Sequence, residues 1–123
     1  MAEPNLVNTT TIYGRTSGAN LTSTSATTVL DNPASSGKCL KINTVNACNY
    51  TANTANITVS YYDGANVTGT QFQIVGAVSI PANSTLNIID KSSQYYLEEN
   101  NSLGATAGTA NTIIVTCSYE DIS

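Results

Sequence analysis

Catalysis and metal binding need side chains that move protons, attack carbon or phosphorus, or hold an ion, and this chain is poor in them. It has no histidine and three cysteines. Ser-His-Asp and Cys-His arrangements, and any zinc site built on imidazole, therefore lack their residues. Cys39 and Cys48 are too far apart for a CxxC pair, Cys117 is distant, and a thiolate-only zinc site wants four. The plain reading of the three is small buried hydrophobes in a reducing compartment. A bridge from Cys117 to Cys39 or Cys48 across packed strands stays open. No P-loop and no GxGxxG occurs. Asp63 with Gly64 and Asn66, and the run Glu98-Glu99-Asn100-Asn101, are the carboxylate-bearing turns that acid/base or calcium chemistry would use. Such residues at strand ends more simply stand in water as turn formers. The sequence thus predicts no enzyme, no catalytic residues, no cofactor and no metal.

Tyrosine stands above background. Seven are present, at positions 13, 50, 61, 62, 95, 96 and 119, against one Phe and no Trp. Tyr61-Tyr62 and Tyr95-Tyr96 are adjacent pairs, and adjacent strand residues point to opposite faces, so one ring of each pair leaves the primary core. Tyrosine suits interfaces because it buries a large area and keeps a polar tip. Packing at the sandwich rim and stacking on carbohydrate are the competing readings. The candidate interface residues are Pro4, Asn5, Leu6 and Val7 near the N-terminus, with Tyr13, Tyr62, Tyr96 and Ile114.

The elements that must position these residues are strands. No window carries apolar residues at helical spacing for three turns, while β-branched residues abound. Residues 1–10 are polar, contain Pro4, and read as an extended arm ahead of a single domain over 11–123. Strands are expected near 11–16, 21–30, 38–49, 55–63, 72–80, 85–90, 95–97, 102–106 and 111–120. Turns are expected at 17–20, 31–37, 50–54, 81–84 and 98–101. In 38–49, Leu40 and Ile42 share one parity and Val45 and Ala47 the other, which predicts a β-bulge near Asn43 and Thr44. In 55–63, Ile57, Val59 and Tyr61 face one side and Thr58, Ser60 and Tyr62 the other. Phe72, Ile74, Val78 and Ile80 share a parity, as do Leu86 and Ile88. The last strand turns Ile113, Val115, Cys117 and Tyr119 inward and leaves Ile114 on the outer face. Eight or nine short strands with frequent turns predict an all-β sandwich of antiparallel strands, jelly-roll or Ig-like.

Composition narrows the partners. The chain has 123 residues, one domain's worth, and a net charge of −4 with four cations, Arg15, Lys38, Lys41 and Lys91. Nucleic acid and anionic membrane both need more positive charge, so neither is expected as a partner. The start, Met1-Ala2-Glu3-Pro4, shows neither a basic region nor an apolar run, which predicts synthesis and folding in a cytoplasm. Seven Asn-X-Ser/Thr sequons, at Asn8, Asn20, Asn49, Asn56, Asn66, Asn83 and Asn100, follow from the Asn/Thr-rich composition. Thr, Asn and Ser exceed a third of the chain and charged residues are only 10 %. Such a surface loses little solvation when a protein covers it, and is not a sticky apolar patch.

The segments Ile80-Pro81-Ala82-Asn83-Ser84-Thr85-Leu86, Ile89-Asp90-Lys91, Tyr96-Leu97-Glu98-Glu99 with Ser102-Leu103, and the ending Cys117-Ser118-Tyr119-Glu120-Asp121-Ile122-Ser123 carry a family likeness. Gly37-Lys38, Lys41-Ile42-Asn43, Ile57-Thr58-Val59 and Tyr62-Asp63 fit the same pattern. From about Thr11 onward the chain resembles small virion structural proteins of tailed phages, of the type found in myoviruses infecting cyanobacteria. The resemblance implies a particle component in the virion, made in the host cytoplasm, with other virion proteins as partners. It transfers no functional residues and leaves the place in the particle open. A capsid decoration (cement) protein bound to the major capsid protein is the leading expectation. A neck, tail or baseplate component with ring symmetry, or a carbohydrate-binding module, is the alternative. A short, weakly charged β chain with spare tyrosines also suits repeated docking as a homo-oligomer, where many modest contacts add avidity.

Overall fold

Alternating apolar residues in short β-branched segments close a core only when two such layers face each other. The computed structural model describes residues 4–123, and it shows this arrangement in nine strands with no helix among the described residues. They are β1 (Ile12–Asn20), β2 (Thr27–Asn32), β3 (Cys39–Asn49), β4 (Ala55–Gly64), β5 (Thr68–Ile80), β6 (Thr85–Ile89), β7 (Tyr95–Leu97), β8 (Asn101–Ala107) and β9 (Ile113–Ile122). Sheet A has the order β1-β9-β3-β6, with β7 also paired to β3, and sheet B has the order β2-β8-β4-β5. All pairs are antiparallel.

The chain crosses between sheets at every connection except the β4–β5 hairpin and the β6–β7 junction. β6 pairs with Val45–Cys48 and β7 with Leu40–Ile42 of the same strand β3, so β6 and β7 are one strand position interrupted at residues 90–94. Two four-position sheets wound in this order make a jelly roll. The Ig-like alternative fails because its first two strands share a sheet, whereas β1 and β2 lie in opposite sheets. Ile42, Val45 and Val115 of sheet A meet Ile57, Val59 and Leu103 of sheet B, all within 1 % of full burial. Each such side chain contributes about 1.5–3 kcal/mol through its removal from water.

The expected bulge in β3 is present: pairing with β9 slips between Ile42 and Thr44, which lets both apolar pairs point inward. A second slip, between Val45 and Asn46 against β6, buries Ile89 completely and leaves Ile88 half-buried beside the core. Three expectations change. The turn expected at 17–20 is strand, because Ser17 to Asn20 pair with Cys117 to Ile114 of β9. The strand expected over 21–30 forms only from Thr27. Leu21 instead is a buried loop anchor, its N–H donating to the Ile113 carbonyl and its own carbonyl accepting from Asn111 N–H. The arm expected over 1–10 lies partly outside the described residues. From residue 4 on, the chain is not one extended run: Asn8 N–H closes a turn onto the Asn5 carbonyl, and Thr10 and Thr11 N–H both donate to the carbonyl of Ser123.

Candidate functional site

Strand parity decides which side chains a neighbour can touch. On β9, Ile113, Val115 and Cys117 are in the core, so Ile114, Thr116, Ser118 and Glu120 stand on the outer face of sheet A. Their partners across the sheet are Asn20, Gly18, Thr16 and Gly14 on β1, and Cys48, Asn46, Thr44 and Lys41 on β3. Tyr96 of β7 pairs with Lys41 and joins the same face, while Leu97 enters the core opposite Leu40. The result is a sheet face of hydroxyls, amides and glycines with Ile114 (37 % exposed) toward one end and Tyr96 (46 %) and Ile12 (56 %) toward the other, where Cys39 and Ile122 of the same parity are buried. Ile114 and Tyr96 are separated by the length of β3 from Lys41 to Cys48, about 23 Å at ~3.3 Å per residue. The charges there cancel, since Lys41 Nζ lies 3.7 Å from Glu120 Oε2. Asn87 Nδ2 donates to Asn46 Oδ1 at 2.7 Å and Asn43 Nδ2 to Glu120 Oε2 at 3.2 Å, so the amides are held in place within the face.

The outer face of sheet B is different, because the β4–β5 turn folds over its Tyr62, Ser102 and Gly104 end. Asn66 N–H donates to Asp31 Oδ1 at 2.8 Å, Val67 N–H to Ser102 Oγ at 2.8 Å, and Ser102 Oγ to the Gly64 carbonyl at 2.7 Å. Thr28 Oγ1 donates to Asn66 Oδ1, and Ala65 N–H to Asn100 Oδ1. Val67 has φ 53°, a left-handed conformation that is costly for a β-branched residue. Its side chain is thereby laid against Gly104, where Tyr62 also packs: a Cβ at Gly104 would sit 2.5 Å from Val67 Cγ1 and 2.9 Å from Tyr62 Cε1.

Tyr62 is therefore withdrawn from the surface of the folded chain. Parity carries it to the outer face as expected, but the folded-over turn leaves it only 7 % exposed. Its neighbour Tyr61 packs at the core margin and stacks on Phe72, with ring centroids 5.8 Å apart. Partial burial, then the charges of Glu98 and Asp63, raise the Tyr61 phenol above its ordinary pKa. Tyr13 is exposed on the edge strand β1 beneath the Arg15 guanidinium, which lies 5.2 Å from its ring centroid. Asn5, Leu6 and Val7 are exposed, Val7 at 93 %, and Pro4 is half-buried. The structure thus brings Tyr96 and Ile114 onto one face, places Tyr13 on the other side of the β1 edge and Pro4 to Val7 ahead of β1, and withdraws Tyr62.

One concave feature lies at the rim of the sandwich. An open cleft of about 270 Å³ is lined by Asp31, Asn32, Lys38, Tyr119 and Asp121 among others. Asp121 Oδ2 accepts from Arg15 Nε at 3.0 Å and Lys38 Nζ at 3.2 Å, tying β1 to the loop that follows β2. Asn32, fully buried, donates to the Lys38 and Leu97 carbonyls at 2.9 Å each. The carboxylate turns singled out in the sequence serve as backbone caps: Asp63 Oδ1 accepts from Thr70 N–H at 2.6 Å and Glu99 Oε2 from Gly37 N–H at 3.4 Å. No three His, Cys, Asp or Glu side chains among the described residues are grouped to hold a metal ion. Cys117 is fully buried, and burial alone pushes its thiol up to about 12, which makes it inert at neutral pH. The sequon at Asn49 is spoken for as well, because that side chain is fully buried.

The site and fold together define a jelly-roll sandwich in which a turn covers one end of the sheet B face and the sheet A face is open along its middle. Neither a scan against protein-family models nor a search of curated proteins finds a match to this chain.

Proposed function

We propose that the chain is a non-catalytic structural protein that docks onto other proteins of a larger particle through the outer face of sheet A. The observation that carries the proposal is the contrast between the two faces. Sheet B is covered at its Tyr62, Ser102 and Gly104 end by its own hairpin turn, while sheet A is open along Thr16, Gly18 and Thr116, internally charge-balanced and edged by exposed Ile114, Tyr96 and Ile12. A neutral hydroxyl and amide face is cheap to desolvate and supports many weak, repeated contacts. On the resemblance to small virion proteins of tailed phages, the particle we favour is a virion. A capsid decoration protein on the major capsid protein is the form we favour, with a neck, tail or baseplate ring as the alternative. Jelly rolls serve in capsid and lectin domains alike, which is support by fold analogy only.

The test is particle binding by a variant that keeps the fold. Ile114→Lys places a charge at the exposed end of the face and leaves the core untouched. It is expected to lose particle binding while retaining the native melting temperature; native-level binding by the folded variant refutes the docking face. Copy number separates the two virion readings, hundreds per particle for decoration and a ring multiple for a neck or baseplate part. A carbohydrate-binding reading draws on the rim cleft, where Tyr119, an amide and two carboxylates converge. Glycan-array binding that is lost on Tyr119→Ala or Tyr96→Ala supports that reading instead.

A further inference from the structure

A β-sandwich exposes the edge strands of its sheets, and each unpaired backbone is a template for another strand unless it is disrupted. Among the described residues this chain disrupts three of its four edge positions. The β5 edge slips register against β4 three times and holds Gly69 and Ala77 at positive φ. The β2 edge is six residues long and bulged at Val29. The β6/β7 edge is interrupted at residues 90–94. The β1 edge carries no such device. Its nine residues pair with β9 without one register shift, no strand of the described residues lies on its other side, and it contains no proline. Its one charge, Arg15, is turned back onto Asp121 and Tyr13 of the same chain rather than guarding the edge.

Two glycines on this strand have no intramolecular reason to be there. Gly14 and Gly18 both lack positive φ. A Cβ at Gly14 would meet nothing within 4 Å, and one at Gly18 only the Val115 carbonyl at 3.9 Å. Glycine inside a strand weakens it and marks a place where another backbone comes close.

We propose that the open edge of β1 pairs with β1 of a second copy, antiparallel about a two-fold axis at Thr16, so that two copies of sheet A form one continuous sheet. The strand's own sequence is self-complementary in this register. Centred on Thr16, the pairing sets Gly14 opposite Gly18, Arg15 opposite Ser17, Tyr13 opposite Ala19 and Ile12 opposite Asn20 of the other copy. No like charges stand directly opposite, the large ring meets a small methyl, and the Thr16–Thr16 pair is a favourable cross-strand match. A contact of this kind is isologous and closes at two copies. The glycine pairs lie on the outer face, so the joint leaves that face level across both copies. The inference stands apart from the particle reading, because it concerns the isolated chain.

Sedimentation of the full chain tests it. The native chain is expected to run at twice the monomer mass. Thr16→Lys brings two ammonium groups together on the axis and is expected to return it to monomer with an unchanged circular-dichroism spectrum. Thr16→Cys is expected to cross-link into a dimer under mild oxidation well beyond the native chain's own background, since only the residue on the axis meets its own copy within disulfide reach. Gly18→Cys, facing Gly14, is expected not to. A native monomer, a dimer that Thr16→Lys leaves intact, or equal cross-linking at both positions overturns the proposal. Ile114→Lys, which removes particle docking, is expected to leave this dimer unchanged, so failure of one idea is distinguishable from failure of the other.

Discussion

Buried amides fix the loops that frame both sheets. Asn49 Nδ2 donates to the carbonyls of Asn53 at 2.7 Å and Ile80 at 3.0 Å, and its Oδ1 accepts from Thr51 N–H and Oγ1. One fully buried side chain thereby ties the β3–β4 turn to the end of β5. Asn49→Ala removes these bonds, the buried one to the Ile80 carbonyl among them. It is expected to cost about 3 kcal/mol, read as a lower urea midpoint with an unchanged slope. The tyrosines show how far single residues were legible. Alternation assigned the two faces for Tyr61 and Tyr62 correctly, because parity is a property of the strand alone. It had no access to Val67, which folds over Tyr62 from a turn that the sequence read only as a break at Asp63 and Gly64.

At the scale of elements, the long strands declared themselves wherever apolar alternation was clean. The parity slip between Ile42 and Val45 disclosed the β3 bulge before any pairing was known, since a period of two cannot otherwise bury both ends. The extent of β1 was hidden for the opposite reason. Gly18, Ala19 and Asn20 carry turn chemistry, and only their pairing with β9, which is not a local property, holds them extended. The β4–β5 turn gives a test at this scale. It lies on sheet B through hydrogen bonds and through the space over Gly104. Gly104→Ala forces a methyl into Val67 and Tyr62, and is expected to destabilise the fold by about 1–3 kcal/mol. Hydrogen exchange then shows faster exchange at the amides of Asn66 and Val67, which donate to Asp31 and Ser102, than in sheet A. Equal loosening of both sheets contradicts the latch.

The whole molecule carries few charges, so its pH response rests on a small number of groups. The Cys117 thiol, ordinarily 9.0, is pushed up to about 12 by burial, and Tyr61 is raised as well. The unfolded chain gives up the Cys117 proton through pH 9 while the folded chain keeps it. Between these values the native state therefore binds more protons and stability falls as pH rises. The stabilising contribution is fully present below pH 9 and is lost toward pH 12. The urea midpoint is expected to drop across that window in the native chain and to follow a flatter profile in Cys117→Ala, even though that variant is less stable at neutral pH. At this scale the sequence disclosed the sandwich class but not the winding, because strand order depends on which long-range pairs win.

The claim on which the functional account turns is that sheet A, with its uncovered neutral face, meets the neighbours, and sheet B does not. An averaged electron-microscopy map of the intact particle measures this directly. The account predicts repeated copies of the sandwich with Ile114, Thr116 and Tyr96 against an adjoining protein and the β4–β5 turn toward solvent. Copies seated through the β4–β5 turn with sheet A bare, or particles that lack the chain altogether, contradict it.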